Sequence, residues 1–185
     1  AWSVATMHPD VVRGIVPVSM PHPLDLKRTA FSDTLLRRAV SYSLSFQLPF
    51  WPEYQLRKND AAKIGEILRD WSGSEWPDQE TENVFRAAML GHASPHCALE
   101  YHRWAFRSIL RTDGRRFNRY MKRQVAAPIL QIHGARDGSI SPRPADAEHY
   151  SGTFEWCELE NVGHFPHEEA AEGFNKVVLE WLQKI

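Results

Sequence analysis

Cysteine is scarce, with Cys97 and Cys157 the only two in 185 residues. That is too few for a disulfide framework and fits a reducing compartment, the cytoplasm being the expected one. Neither sign of charge is in excess, since 22 lysines and arginines face 23 aspartates and glutamates. A near-neutral chain carries no electrostatic footprint for nucleic acid or an anionic membrane surface. Basic residues do crowd at Arg111, Arg115, Arg116, Arg119, Lys122 and Arg123, and a solvated helix face accounts for them. Long apolar runs are missing too: none approaches the length of a membrane span, and no signal peptide opens the chain. Nor does an initiator methionine, residue 1 being Ala, so the sequence is expected to be a piece of something longer. Repeats and low-complexity segments are absent. What is present, 43% apolar and 24% charged residues, is the composition of a globular domain.

Read in order, the chain alternates between strand and helix patterns. Ala1 to Met7 has a helix-compatible composition and stops at His8-Pro9-Asp10, where proline restricts the residue before it. Val11 to Met20 is a β-branched, mostly apolar run, broken at Gly14 and closed by Pro21-His22-Pro23. It suits a parallel strand buried on both faces. From Asp25 to Lys122 the pattern is helical. Phe31 to Phe46 makes one helix, and Pro49 with Trp51-Pro52 makes an irregular connection. Asn59 caps a second helix, which places Ile64, Ile67, Leu68 and Trp71 on one face before Gly73 ends it. Asp78 caps a third, running to Gly91. Ser94-Pro95 starts a fourth, with Cys97, Tyr101, Trp104, Ala105 and Ser108 along one stripe. Asp113-Gly114 signals a turn before a short basic helix.

Strand patterns return at Pro128 to His133 and at Thr153 to Leu159, with a short helix or turn over Pro142 to His149 between them. From His167 the chain is helical, and Phe174, Val177, Val178, Trp181, Leu182 and Ile185 recur on one face. Strand, helical insertion, strand, helix, strand, helix predicts an α/β sheet with a helical lid inserted after the first strand. Ligands of such sheets bind beyond the carboxyl ends of the strands. The loops after Met20, His133 and Leu159 lie at that edge.

Two of those loops carry chemistry. One holds Gly134-Ala135-Arg136-Asp137, the other Val162-Gly163-His164-Phe165. A carboxylate at Asp137 accepting from the imidazole of His164 fixes its tautomer and stabilises the imidazolium formed when it takes a proton. Histidine suits the base role because its ordinary pKa lies near the working pH. Acid first and His near the C-terminus is the order of hydrolases whose nucleophile precedes both on a strand-to-helix elbow. Asp25, just past the first strand pattern, is the rival acid. His164 with His167, or His92 with His96, has helical spacing for a metal pair, but no Cys or carboxylate stands at a matching distance. Cys157 sits inside an apolar strand pattern, a poor place for a nucleophile.

With these pieces the chain resembles the C-terminal half of an α/β-hydrolase, and within that superfamily the epoxide hydrolase branch. The resemblance rests on Met7-His8-Pro9 through Val18-Ser19-Met20-Pro21-His22-Pro23, on Ser45-Phe46-Gln47-Leu48-Pro49, and on Leu99-Glu100-Tyr101-His102-Arg103-Trp104, besides the two loops above. It implies an α/β core over 1–23 and 124–185 with three parallel strands, and a helical cap over 24–123. It implies Asp137 as acid, His164 as base, a small apolar substrate, and no cofactor or metal.

The nucleophile, Asp in epoxide hydrolases and Ser in esterases, and both oxyanion-hole amides are then expected in residues preceding Ala1. The 185 residues alone are expected to be inactive, and the Val11 to Met20 strand to be an exposed apolar edge. The resemblance also brings substrate-binding lid positions, here Phe46 and His102, with Tyr101 beside the latter. Epoxide hydrolases place two tyrosine hydroxyls there. Phe46 has none, His102 has at most one N–H when neutral, and Tyr101 points about 100° away from its neighbour on a helix. Tyr42, a turn before Phe46, is a further possible donor. A serine esterase or dehalogenase on the same fold, and a non-catalytic ligand-binding module, are the alternatives.

Overall fold

The structure is a computed structural model that describes residues 1–30, 32–73 and 75–185. Phe31 lies outside the described residues, as do the side chains of Leu36, Arg38, Ala39, Val40 and Tyr42, including the Tyr42 hydroxyl considered above. A short parallel sheet centres on β1 (Ile129–Gly134), buried along its whole length. β2 (Phe154–Leu159) pairs with it in parallel, Ile129 opposite Phe154 and Gly134 opposite Leu159. Along the other edge of β1 runs the segment 15–19, joined through bridges at Ile15–Ile129 and Val18–Ile132.

The expected first strand is therefore shorter than Val11 to Met20 and interrupted. Its ladder to β1 consists of Ile15 N–H to the Pro128 carbonyl at 3.0 Å, Leu130 N–H to Ile15 at 3.0 Å, Ile132 N–H to Pro17 at 2.9 Å and Ser19 N–H to Ile132 at 2.9 Å. The rung that should reach the Leu130 carbonyl falls to Pro17, whose nitrogen carries no hydrogen. Among the described residues, two full strands and a bridged third segment stand where three strands were expected.

Helix α1 (Trp2–Met7) precedes this segment. Between the segment and β1 come α2 (Pro23–Thr29), α3 (Thr34–Ser45), α4 (Trp51–Trp71), α5 (Gln79–Leu90), α6 (Ser94–Arg107) and α7 (Thr112–Met121). After β2 come α8 (Pro166–Glu169) and α9 (Ala171–Leu182). Asp78 caps α5 as expected, its carboxylate accepting from Thr81 N–H at 2.7 Å. Elsewhere the details differ. The irregular connection around Trp51-Pro52 is the first turn of α4, because proline there sacrifices only an N–H with no helical partner. α4 is broken at Lys58–Ala61, and Asn59 takes a left-handed backbone at the break (φ 52°) in place of a capping geometry. Ser94 lies inside α6, Ala93 occupying the cap position. Asp113 and Gly114 belong to the first turn of α7.

The stripe expected on α6 faces the wrong way. Cys97, Tyr101 and Trp104 are exposed, and Pro95, Leu99 and Arg103 are buried. The reason is electrostatic: the Arg103 guanidinium is drawn inward by the carbonyls of Phe46 (2.7 Å) and Leu48 (3.1 Å) and the carboxylate of Glu53 (2.7 Å). A buried charge needs such partners, and once placed it fixes the face of its helix.

Alternation along β1 gives it two faces. Leu130 and Ile132 pack against α9 through Trp181, Phe174, Val177 and Val178, and against Ile185 beyond its end, while Leu182 of the expected stripe is half exposed. Ile129 packs with Trp2, Ala5, Ile15, Val125 and Ala145. Buried Gln131, on the same face as Ile129, donates to the Arg143 carbonyl at 3.1 Å and accepts from Ala145 N–H at 2.9 Å. His133, the next residue on that face, leads to the site. Among the described residues no helix is long and apolar enough to cross a membrane.

Candidate active site

β1 ends at Gly134 and turns sharply, with Asp137 N–H reaching back to the Gly134 carbonyl at 3.2 Å. This turn drives the Asp137 side chain into the protein, where none of it is exposed. One carboxylate oxygen, Oδ1, accepts from the backbone N–H groups of Ser139 (2.7 Å) and Ile140 (3.0 Å). The other, Oδ2, lies 2.8 Å from His164 Nδ1 and 2.8 Å from His133 Nε2. A carboxylate offers about four acceptor positions, and all are used. Burial by itself would raise the pKa of Asp137; the hydrogen bonds from His133 and His164, with the charge of His164 and the Ile140 N–H, outweigh it and hold the group at about 2.

An ionised carboxylate only accepts, so both imidazoles donate to it. In its neutral form His164 therefore carries its proton on Nδ1 and presents Nε2 as a lone pair, the tautomer a general base requires. Nε2 makes no hydrogen bond among the described residues, and a sixth of the side chain is open to solvent. Trp71 stands edge-on to the imidazole, ring centroids 5.1 Å apart, and Trp76 and Phe165 extend the apolar wall.

The sequence-predicted acid and base are thus brought together. The lid residues are brought to one another: the Phe46 and His102 rings meet at 5.4 Å, and Tyr101 lies beside His102 at 6.0 Å with 79% of its surface exposed. Among the described residues none of the three makes a hydrogen bond or ring contact with Asp137 or His164. Sequence reasoning missed His133, the second donor to the acid. Its signal was a His four residues before Asp137 at the end of a strand. It also missed Arg103 and Trp71, whose roles depend on backbone carbonyls that carry no sequence signature.

Asp25, the rival acid, is buried in a different network. It accepts from Arg28 at 2.7 Å, from His149 Nε2 at 2.8 Å and from Asp146 N–H at 3.1 Å. His22, His149 and Asp25 cluster closely enough to suggest a metal site, as do Asp25, Asp146, Glu148 and His149. Their geometry points elsewhere. His22 and His149 stack face to face at 3.8 Å, so their lone pairs lie in parallel planes that one ion cannot share. Arg28 pairs with Asp25, Asp146 and Glu148, supplying the positive charge that those carboxylates need.

A parallel sheet with an acid and a histidine on successive strand-end loops, and a helical insertion before them, is a partial α/β-hydrolase fold. Proteins that the chain resembles include several classed as epoxide hydrolases. Epoxide hydrolase 3 of Xenopus tropicalis is 24% identical over 198 residues, an alignment that takes in 100% of this chain and 50% of that protein. A solved structure classed as an epoxide hydrolase, from Klebsiella pneumoniae, superposes with a TM-score of 0.70 at 21% identity, covering 97% of this chain and 61% of that one. A Nostoc protein classed as an α/β hydrolase gives 0.76 at 18% identity over 97% and 60%. A Salmonella enterica protein classed as an acyltransferase gives 0.77 at 17% over 98% and 60%. No family model matches the chain. The chain spans about half the length of the curated relative and about 60% of the solved structures.

Proposed function

We propose that this chain supplies the acid, the base and the lid of a hydrolase acting on small apolar substrates, epoxide hydrolase-like in mechanism. The observation that carries the reading is the 2.8 Å bond from His164 Nδ1 to a fully buried, ionised Asp137, which leaves Nε2 free to take a proton. The attacking group lies outside these 185 residues. An Asp nucleophile opens the epoxide: a carboxylate oxygen bonds to carbon, the ring C–O bond breaks, and the alkoxide takes a proton from a lid donor. His164 Nε2 then removes a proton from water, the resulting hydroxide attacks the ester carbonyl, the diol leaves as the carboxylate is restored, and the imidazolium proton returns, through solvent, to the lid donor that gave one up. Asp137 remains ionised and stabilises the imidazolium. Residues 24–123 form the cap in this scheme, 1–23 and 124–185 the core, and the two free cysteines suit a cytoplasmic setting.

Phe46 has no hydroxyl and Tyr101 is largely exposed. That favours, as a second reading, an ester or haloalkane substrate, whose leaving group does not need two phenolic donors. Replacing His164 by Ala in the full-length protein and assaying an epoxide, an aryl ester and a haloalkane tests both. Turnover of the true substrate is expected to fall on the order of a thousandfold or more, and the 185 residues alone to show no His164-dependent turnover. Unchanged turnover by His164→Ala overturns the role of His164, and a wild type that turns over none of the three classes leaves a ligand-binding module.

A further inference from the structure

Three consecutive backbone amides around His164 are tied to partners outside their own loop. Gly163 N–H donates to Glu169 Oε2 at 2.8 Å, His164 N–H to the Trp71 carbonyl at 2.9 Å, and Phe165 N–H to Glu169 Oε1 at 3.0 Å. Glu169 Oε2 also accepts from Gly73 N–H at 2.9 Å, just beyond the end of α4. The Trp71 carbonyl takes a second donor, Gly138 N–H at 3.3 Å, from the acid loop. The end of α4 therefore lies between the acid loop and the base loop, and Glu169 closes the arrangement from α8. The approach is close enough to need glycine: a Cβ at Gly163 would overlap the Gly73 nitrogen and the Trp71 carbonyl oxygen.

We propose that Glu169 is the positioning residue for His164. Its carboxylate grips the amides on both sides of the histidine and fastens them to the cap at Gly73, so that Nδ1 stays on Asp137 and Nε2 keeps one direction. Charge-assisted hydrogen bonds to several amides are strong and direction-specific, and a loop held on both flanks of one residue leaves that residue little freedom. A carboxylate is needed because both oxygens must accept. Glutamine has the same shape but turns an NH2 group toward at least one of the amide N–H groups. This role rests on reading His164 as the base.

The test uses Glu169→Gln and Glu169→Ala in the full-length protein. Turnover is expected to fall on the order of 10- to 100-fold, with KM moving less than about twofold. Hydrogen exchange at the Gly73, Gly163 and Phe165 amides is expected to accelerate at least about tenfold. The low-field NMR resonance of the His164 Nδ1 proton, characteristic of its bond to Asp137, is expected to disappear or move. Should the alanine variant fail to fold, the isosteric glutamine variant carries the test. A residue that merely fills space would be rescued by glutamine. Full turnover together with an unmoved His164 resonance in Glu169→Gln therefore overturns the proposal. If the wild type has no His164-dependent turnover, the hydrolase reading fails on its own, while exchange and the imidazole resonance still decide what Glu169 does.

Discussion

Four donors converge on the Asp137 carboxylate, two of them imidazoles, and they keep an acid with a fully buried side chain ionised. His22 shows the opposite outcome. It too is fully buried, but its Nε2 has no partner among the described residues. Burial first, then the neighbouring His149, push its pKa down to about 4, with Asp25 opposing. The sign follows from linkage. Between the ordinary value near 6.5 and about 4 the unfolded chain binds the proton that folded His22 refuses. Stability is therefore full above pH 6.5, falls as the pH drops to about 4, and loses no more to this group below that. A shift of this size corresponds to about 3 kcal/mol. Urea midpoints at pH 7 and pH 4.5 measure the effect. His22→Asn, which keeps an acceptor for Leu24 N–H, is expected to flatten the difference, and an undiminished acid loss in that variant would exclude His22 as the cause. At this scale the pairing of Asp137 with His164 was legible in the sequence because each sits in a short strand-end motif. His133 and Glu169 were not, because their importance comes from which N–H and carboxylate groups folding brings into contact.

Elements were legible where periodicity was long and uninterrupted, as in α9 and β1, and less so where one residue decided the outcome. Trp51-Pro52 read as a breaker and opens a helix, since position within the first turn reverses the meaning of proline. Arg103 rotated α6 away from its apparent apolar stripe. Pro17 erased part of a strand that composition alone supported. The last case can be tested directly. Pro17→Val gives residue 17 an N–H aimed at the Leu130 carbonyl, between the existing rungs at Ile15 and Ser19. The new amide is expected to exchange as slowly as those of Ile15 and Ser19 in the same variant, completing the ladder. Free exchange of that new amide would show that the segment departs from β1 there for a reason other than the missing hydrogen.

At the scale of the whole molecule, the sheet has an edge that this chain leaves unpaired. The N–H groups of Ile15 and Ser19 point toward β1, so by the alternation of a strand those of Val16 and Val18 point away. Neither makes a backbone hydrogen bond among the described residues. Both side chains are only half buried, so the outer edge offers unpaired donors and acceptors flanked by β-branched residues. That is a template for another strand. The 185-residue chain is accordingly expected to associate through segment 15–19, sedimenting as a dimer or larger species at micromolar concentration or precipitating. Val18→Lys places a charge on that edge without removing a rung to β1, because the rungs use the backbone of Ile15, Pro17 and Ser19. The variant is expected to sediment as a monomer. A monomeric wild type, or an assembly that Val18→Lys leaves intact, would locate the association elsewhere or abolish it. On the proposed reading the same edge is where a further strand of a larger sheet docks, so blocking it in a longer chain is expected to cost stability where it gains solubility in the short one.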